Sequence, residues 1–134
     1  MRPPSKRIVV FGQNETFTRV VQTAVAVAPT LVPHYAAQAN SPFPDLKNYG
    51  LALVLHHPPY SDGLSTVREI KRRQPDLPVI AATSDYSGDT TRLLFISGAE
   101  DVLETNADAG KIQMKTRHIR RLKFSRNQFD VRGD

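Results

Sequence analysis

The chain contains no cysteine in its 134 residues. Disulfides, thiolate metal sites and thiol nucleophiles are therefore excluded. Long apolar runs are also missing, and the longest falls far short of the ~20 residues that a membrane span requires. The opening stretch "MRPPSKR" is basic but leads into only a short apolar run, which is not the pattern of a secretory signal. The expectation is a cytoplasmic protein with no membrane partner. No internal repeat, low-complexity segment or interior linker interrupts the chain, and its length suffices for one domain with a real core.

Reactive patterns are scarce as well. Gly12-Gln13-Asn14-Glu15 precedes a helical pattern but holds one glycine, and neither phosphate-loop spacing, GxGxxG or GxxxxGK[ST], is present. His56 and His57 are adjacent on a strand-like run, so their side chains point to opposite faces and cannot easily share one ion. Ser84 and Ser87 lack a nucleophile-elbow context. No catalytic residue, no metal site and no cofactor is assigned, and the chain is not expected to be an enzyme.

What is present is an ordinary globular composition, 40% hydrophobic and 23% charged, with the charge segregated. The net charge is +5. From Lys111 to Arg126 there are seven bases and no acid; from Asp85 to Asp108 there are six acids and one base, Arg92. Two complementary blocks of this kind point to an interaction face.

Short apolar runs alternate with helical spacing. "IVVF" (Ile8–Phe11) reads as a buried strand, followed by Asn14 as a helix cap and apolar residues at helical intervals up to Val25. "TLVPHYA" (30–36) reads as a strand, and its Pro33 confines it to a sheet edge. "SPFPDLKNYG" (41–50) suits a short helix with Ser41 as cap and Pro42 in the first turn. "LALVL" (Leu51–Leu55) is a buried strand; Asp62 before Gly63 then caps a helix carrying Leu64, Val67 and Ile70. "VIAAT" (Val79–Thr83), a helix from Gly88 to Ser97 with Leu93, Leu94 and Ile96, a short strand Asp101–Glu104 and a helix from about 108 to 123 complete the pattern. Five β–α units with strands apolar on both faces predict an α/β, doubly wound, five-stranded parallel sheet in the order 2-1-3-4-5. Ligands of such sheets bind beyond the carboxyl ends of the strands. The expected domain spans 1–124, with a polar tail over 125–134.

In this order "KRIVVF", "PPYSDGL", "LPVIAATS" and "SGAEDVL" resemble the CheY-like receiver domain of bacterial response regulators, from Lys6 to about Lys123. That resemblance implies two acids after the first strand that hold Mg²⁺, an aspartate ending the third strand that accepts a phosphoryl group, a hydroxyl ending the fourth and a lysine ending the fifth. The acidic pair falls on Gly12 and Gln13, the acceptor on Leu55, the hydroxyl on Thr83 and the lysine on Thr105, which Asn106 follows. The aromatic switch position falls on Val102. Thr83 alone is retained. Mg²⁺ needs hard carboxylate oxygens, and an aspartyl phosphate needs a carboxylate. The expectation is a degenerate, pseudo-receiver form within two-component signalling: the scaffold of the phosphorelay module without its chemistry, with His56 and His57 filling the vacated acidic pocket.

The resemblance also implies a partner face. In OmpR/PhoB-type receivers, acids on the fifth strand pair across a twofold axis with bases on the last helix. Glu100 and Asp101 fall on the acidic positions, Arg92 on the fourth expected helix, and Lys115, Arg117 and Arg121 on the basic positions. This predicts a protein partner or a homodimer through helix 4, strand 5 and helix 5. The module can also be one regulatory domain of a longer protein, such as a response regulator or a pilus-assembly ATPase. Nucleic-acid binding by the basic last helix is the alternative use of the same residues, although stacking aromatics are not interleaved with its bases.

Overall fold

The computed structural model describes residues 7–25, 29–32, 43–58 and 61–119. Its elements are β1 (Ile8–Phe11), α1 (Glu15–Val25), β2 (Thr30–Val32), β3 (Leu51–His56), α2 (Gly63–Arg73), β4 (Val79–Thr83), α3 (Gly88–Ser97) and β5 (Asp101–Glu104). A last helix, α4, covers 109–119 among the described residues. All strand pairs are parallel, in the order β2-β1-β3-β4-β5. This is the predicted doubly wound sheet.

Every residue of β1, β3 and β4 is buried, because helices cover both faces. Alternation along the strands sorts the core into two layers. Val10, Leu53, Leu55, Ile80 and Leu103 face α1 and α4, where they meet Phe17, Val21, Ile112 and Ile119. Val9, Phe11, Val54, Ala81 and Val102 face α2 and α3, where they meet Val67, Ile70 and Leu94. Each fully buried Leu, Ile or Phe contributes roughly 1.5–3 kcal/mol relative to exposure, so the two layers hold the three-tiered stack together.

Local signals set most element boundaries. Asn14 Oδ1 accepts from the Phe17 amide at 3.0 Å and caps α1. Asp62 Oδ1 accepts from the Ser65 amide at 3.2 Å and caps α2, as expected. Ser87 does the same for α3 through the Thr90 amide.

Three expectations change. The helix expected over 41–50 is absent from its described part: residues 43–50 carry only a turn at 47–48, and Leu46 and Phe43 pack on the sheet instead. Burial of those side chains overrides weak local propensity. Ser41 and Pro42 lie outside the described residues, as do Pro33–Ala36, the end of the last helix beyond 119, Arg121, and the boundary near 124 with its tail. β3 runs one residue further than expected, through His56, which pairs in register with Thr83. On α3 only Leu94 of the apolar run turns inward; Leu93, Phe95 and Ile96 face outward.

Candidate functional site

The carboxyl ends of β1, β3 and β4 form the crown where a sheet of this kind binds its ligands. Leu55 closes it. Its side chain is 4% exposed and lies in the α1/α4 layer. Gly12 leaves β1 with φ of +111°, a conformation that glycine adopts freely and other residues rarely do. A Cβ on Gly12 would stand 2.6 Å from Leu55 Cβ. Two of the expected phospho-site positions are therefore in contact, one as an apolar plug and the other as the gap that receives it. Gln13 is exposed beside them.

The other two positions also meet. The Thr105 amide donates to the Thr83 carbonyl at 3.1 Å. Thr83 is fully buried, and its hydroxyl is engaged locally: it accepts from the Asp85 amide at 3.0 Å and donates to the Asp85 carbonyl at 3.3 Å. The hydroxyl braces the β4–α3 loop. Among the described residues no group of three His, Asp or Glu side chains is placed to hold a metal ion.

The two histidines do not share one pocket, because the strand alternates. His56 turns to the α2 side and is buried. Its Nδ1 accepts from the Gly63 amide at 3.0 Å, so the imidazole is an acceptor at the start of α2. A Cβ on Gly63 would come within 2.6 Å of His56 Cβ, which explains the glycine there. Burial lowers the His56 pKa below 6.5; the nearby carboxylates Asp62 and Asp85 oppose that shift and His57 adds to it. His57 is exposed and shares a hydrogen bond between its Nδ1 and Ser84 Oγ. That bond ties the end of β3 to the loop leading into α3. No local pattern marks the Ser84 contact, since the two residues are 27 positions apart.

The flank formed by α3, β5 and α4 carries the expected interaction residues. Arg92 is exposed on α3 and lines a shallow groove with Tyr86, Thr91, Phe95 and Ile96. Tyr86 and Phe95 are 51% and 45% exposed, and Ile96 is 66% exposed. The signal for this patch was "LLFI" (93–96) itself, since four consecutive apolar residues cannot all face one side of a helix. The acids behave differently from expectation. Glu100 precedes β5 and binds Lys71 Nζ at 2.6 Å with Oε1, while its Oε2 accepts from the Val79 amide at 2.6 Å. Asp101 binds Lys115 Nζ at 2.8 Å. Both carboxylates expected to reach across a twofold axis are engaged within their own chain. Arg117 is exposed on α4.

No protein-family model matches the chain, and no curated protein matches it. Solved structures do. A signal receiver domain from Vibrio parahaemolyticus is 18% identical, covering 96% of this chain and 98% of that one, with a TM-score of 0.73. The beryllofluoride-activated NtrC4 receiver domain dimer is 21% identical, with 88% and 98% covered and a TM-score of 0.68. NtrX from Brucella abortus is 16% identical over 93% of this chain, which spans only 29% of NtrX, with a TM-score of 0.73. At such identities the likeness establishes the fold: this chain has the CheY-like receiver fold. No helix among the described residues is long and apolar enough to cross a membrane.

Proposed function

We propose that this chain is a non-enzymatic signalling module of the receiver type that recognises a partner protein without aspartyl phosphorylation. The observation that carries the reading is Leu55, buried against Gly12 where a phosphoryl acceptor would stand. An alkyl side chain has no lone pair to attack phosphorus, and among the described residues no acidic cluster is placed there to hold Mg²⁺. The Thr83 hydroxyl, engaged with Asp85, holds the loop in place instead of gripping a phosphate. The fold then contributes a rigid scaffold, and the flank of α3, β5 and α4 contributes the recognition surface. Similar structures are described as receiver domains, one as activated by beryllofluoride and dimeric, which supports a place for this chain in cytoplasmic two-component signalling.

Acetyl phosphate with Mg²⁺, followed by intact-mass analysis, tests the reading. The expected result is no phosphoryl increment, and no change in the ¹H–¹⁵N spectrum on adding beryllofluoride. A stable adduct at the crown would overturn it.

A further inference from the structure

Resting on that reading, we propose that His56 is a proton-operated latch: its neutral ring holds the head of α2 against β3, and a proton taken up by the ring releases it. A module without phosphoryl control thereby gains control by acidity. His56 is 6% exposed at the end of β3. Its Nδ1 accepts from the Gly63 amide at 3.0 Å, so the neutral ring carries its own hydrogen on Nε2. Protonation turns Nδ1 into a donor, and two N–H groups then face each other across that contact. Gly63 leaves little slack for them: a Cβ there would stand 2.6 Å from His56 Cβ and 3.2 Å from Nδ1. A buried N–H without an acceptor is costly, so the ring and the helix head separate.

The release is local. Val67 and Ile70 are fully buried and keep the body of α2 on the sheet. Asp62 keeps its hold on the Ser65 amide within the helix. Ahead of it, His57 and Ser61 exchange both backbone hydrogen bonds, at 3.1 and 3.0 Å, so the chain entering α2 is closed on itself. That segment is tied to the end of β3 by Ser61 Oγ on the Leu55 carbonyl at 3.2 Å and by the Gly63 amide on His56. The Gly63 bond is the buried one of the two. The charged and titratable groups that act on His56 are Asp62 at the head of α2, Asp85 in the loop between β4 and α3, and His57 beside it. Its neighbour across the sheet, Thr83, is neutral. The two carboxylates favour the proton, and burial outweighs them while the latch is closed. Opening removes the burial and leaves the carboxylates, so proton uptake and release of the helix head reinforce each other.

Amide hydrogen exchange of the full ¹⁵N-labelled chain, read by NMR between about pH 7.5 and 5 and corrected for the intrinsic pH dependence of exchange, tests the latch. The Gly63 amide is expected to be less protected than the amides of β1 at every pH, which marks a local opening. Its protection should fall by up to about tenfold per pH unit in the window between 6.5 and the lowered folded pKa of His56. The Thr90 amide, held by the Ser87 cap of α3, should stay level. His56→Asn offers an Oδ1 acceptor where Nδ1 stands and does not titrate, so it should flatten the Gly63 profile. A Gly63 profile that is level, that follows Thr90, that equals β1 or that persists in His56→Asn would overturn the proposal. If that variant does not fold, the ring ¹⁵N shifts of the unaltered chain decide. A hydrogen on Nε2 and a titration midpoint below 6.5 support the latch, and a hydrogen on Nδ1 of the neutral ring overturns it. If acetyl phosphate with Mg²⁺ left a phosphoryl group on the chain at about pH 7.5, where the latch is closed, the phosphate-independent reading would fall while the latch stood. A level Gly63 profile with no phosphoryl uptake would remove the latch alone.

Discussion

On the proposed reading, Leu55 and Gly12 are the decisive pair at the residue scale: an alkyl side chain packs into the space left by a residue without one. Leu55→Asp would place a carboxylate in an apolar layer with no cation to meet it. It is expected to destabilise the fold by about 3 kcal/mol or more, read by urea denaturation, and still to take up no phosphoryl group from acetyl phosphate. On the proposed reading, a single acid supplies neither the Mg²⁺ ligands that the resemblance implies at Gly12 and Gln13 nor the lysine it implies at Thr105. His56 carries a pH dependence of definite sign. Its folded pKa lies below 6.5, chiefly through burial. Between that lowered value and 6.5 the unfolded chain therefore binds the extra proton, and stability falls as pH drops through the window. Protonation also removes the Nδ1 acceptor from the Gly63 amide. The urea midpoint should decline as the solution is acidified below about pH 6.5, and His56→Gln should flatten that slope.

The helices differ in how they are secured. The first turn of α2 is capped twice, by Asp62 on the Ser65 amide and by His56 on the Gly63 amide. The Ser65 hydroxyl and the local amides hold the Asp62 pKa below the usual carboxylate value, against a smaller opposing effect of burial. The stability this gives is present above that usual value and is lost only in strong acid. Asp62→Ala should cost about 1 kcal/mol, measured by thermal or urea unfolding near neutral pH. At the other end of α2, Glu69 accepts from both Arg72 and Arg73, and these hydrogen bonds draw its pKa down to about 2. α3 buries Leu94 and Ser97 and is capped by Ser87. That economy inside is what leaves its apolar residues available outside.

Across the whole molecule, Glu100 is the tie that links the α2/α3 layer to the sheet edge. It joins Lys71 of α2 to the first amide of β4, and Lys71 in turn donates to the Leu77 carbonyl at 2.9 Å. Both side chains of the pair are about four-fifths shielded, so screening by solvent is partial. Glu100→Gln removes the charge and keeps the shape, and should destabilise the chain by about 1–3 kcal/mol. The check is whether Lys71→Met lowers the effect of a second change at Glu100, as coupled partners require. The β–α alternation was legible in the sequence because strands buried on both faces must be apolar throughout. The strands at Ile8–Phe11, Val79–Thr83 and Asp101–Glu104 fall where the apolar runs fall. The expected helix over 41–50 was misleading because Leu46 and Phe43 answer to the sheet and not to their own neighbours.

By itself the sequence determined the order of elements, the edge position of the second strand, the caps at Asn14 and Asp62, and a leucine at position 55. All of these follow from residue type and short-range spacing. Only the tertiary structure decided that Leu55 plugs the crown, that His57 reaches Ser84, and that Glu100 and Asp101 are neutralised at home. Those outcomes depend on which groups chain folding brings within a few ångströms, and contacts between residues tens of positions apart leave no periodic trace.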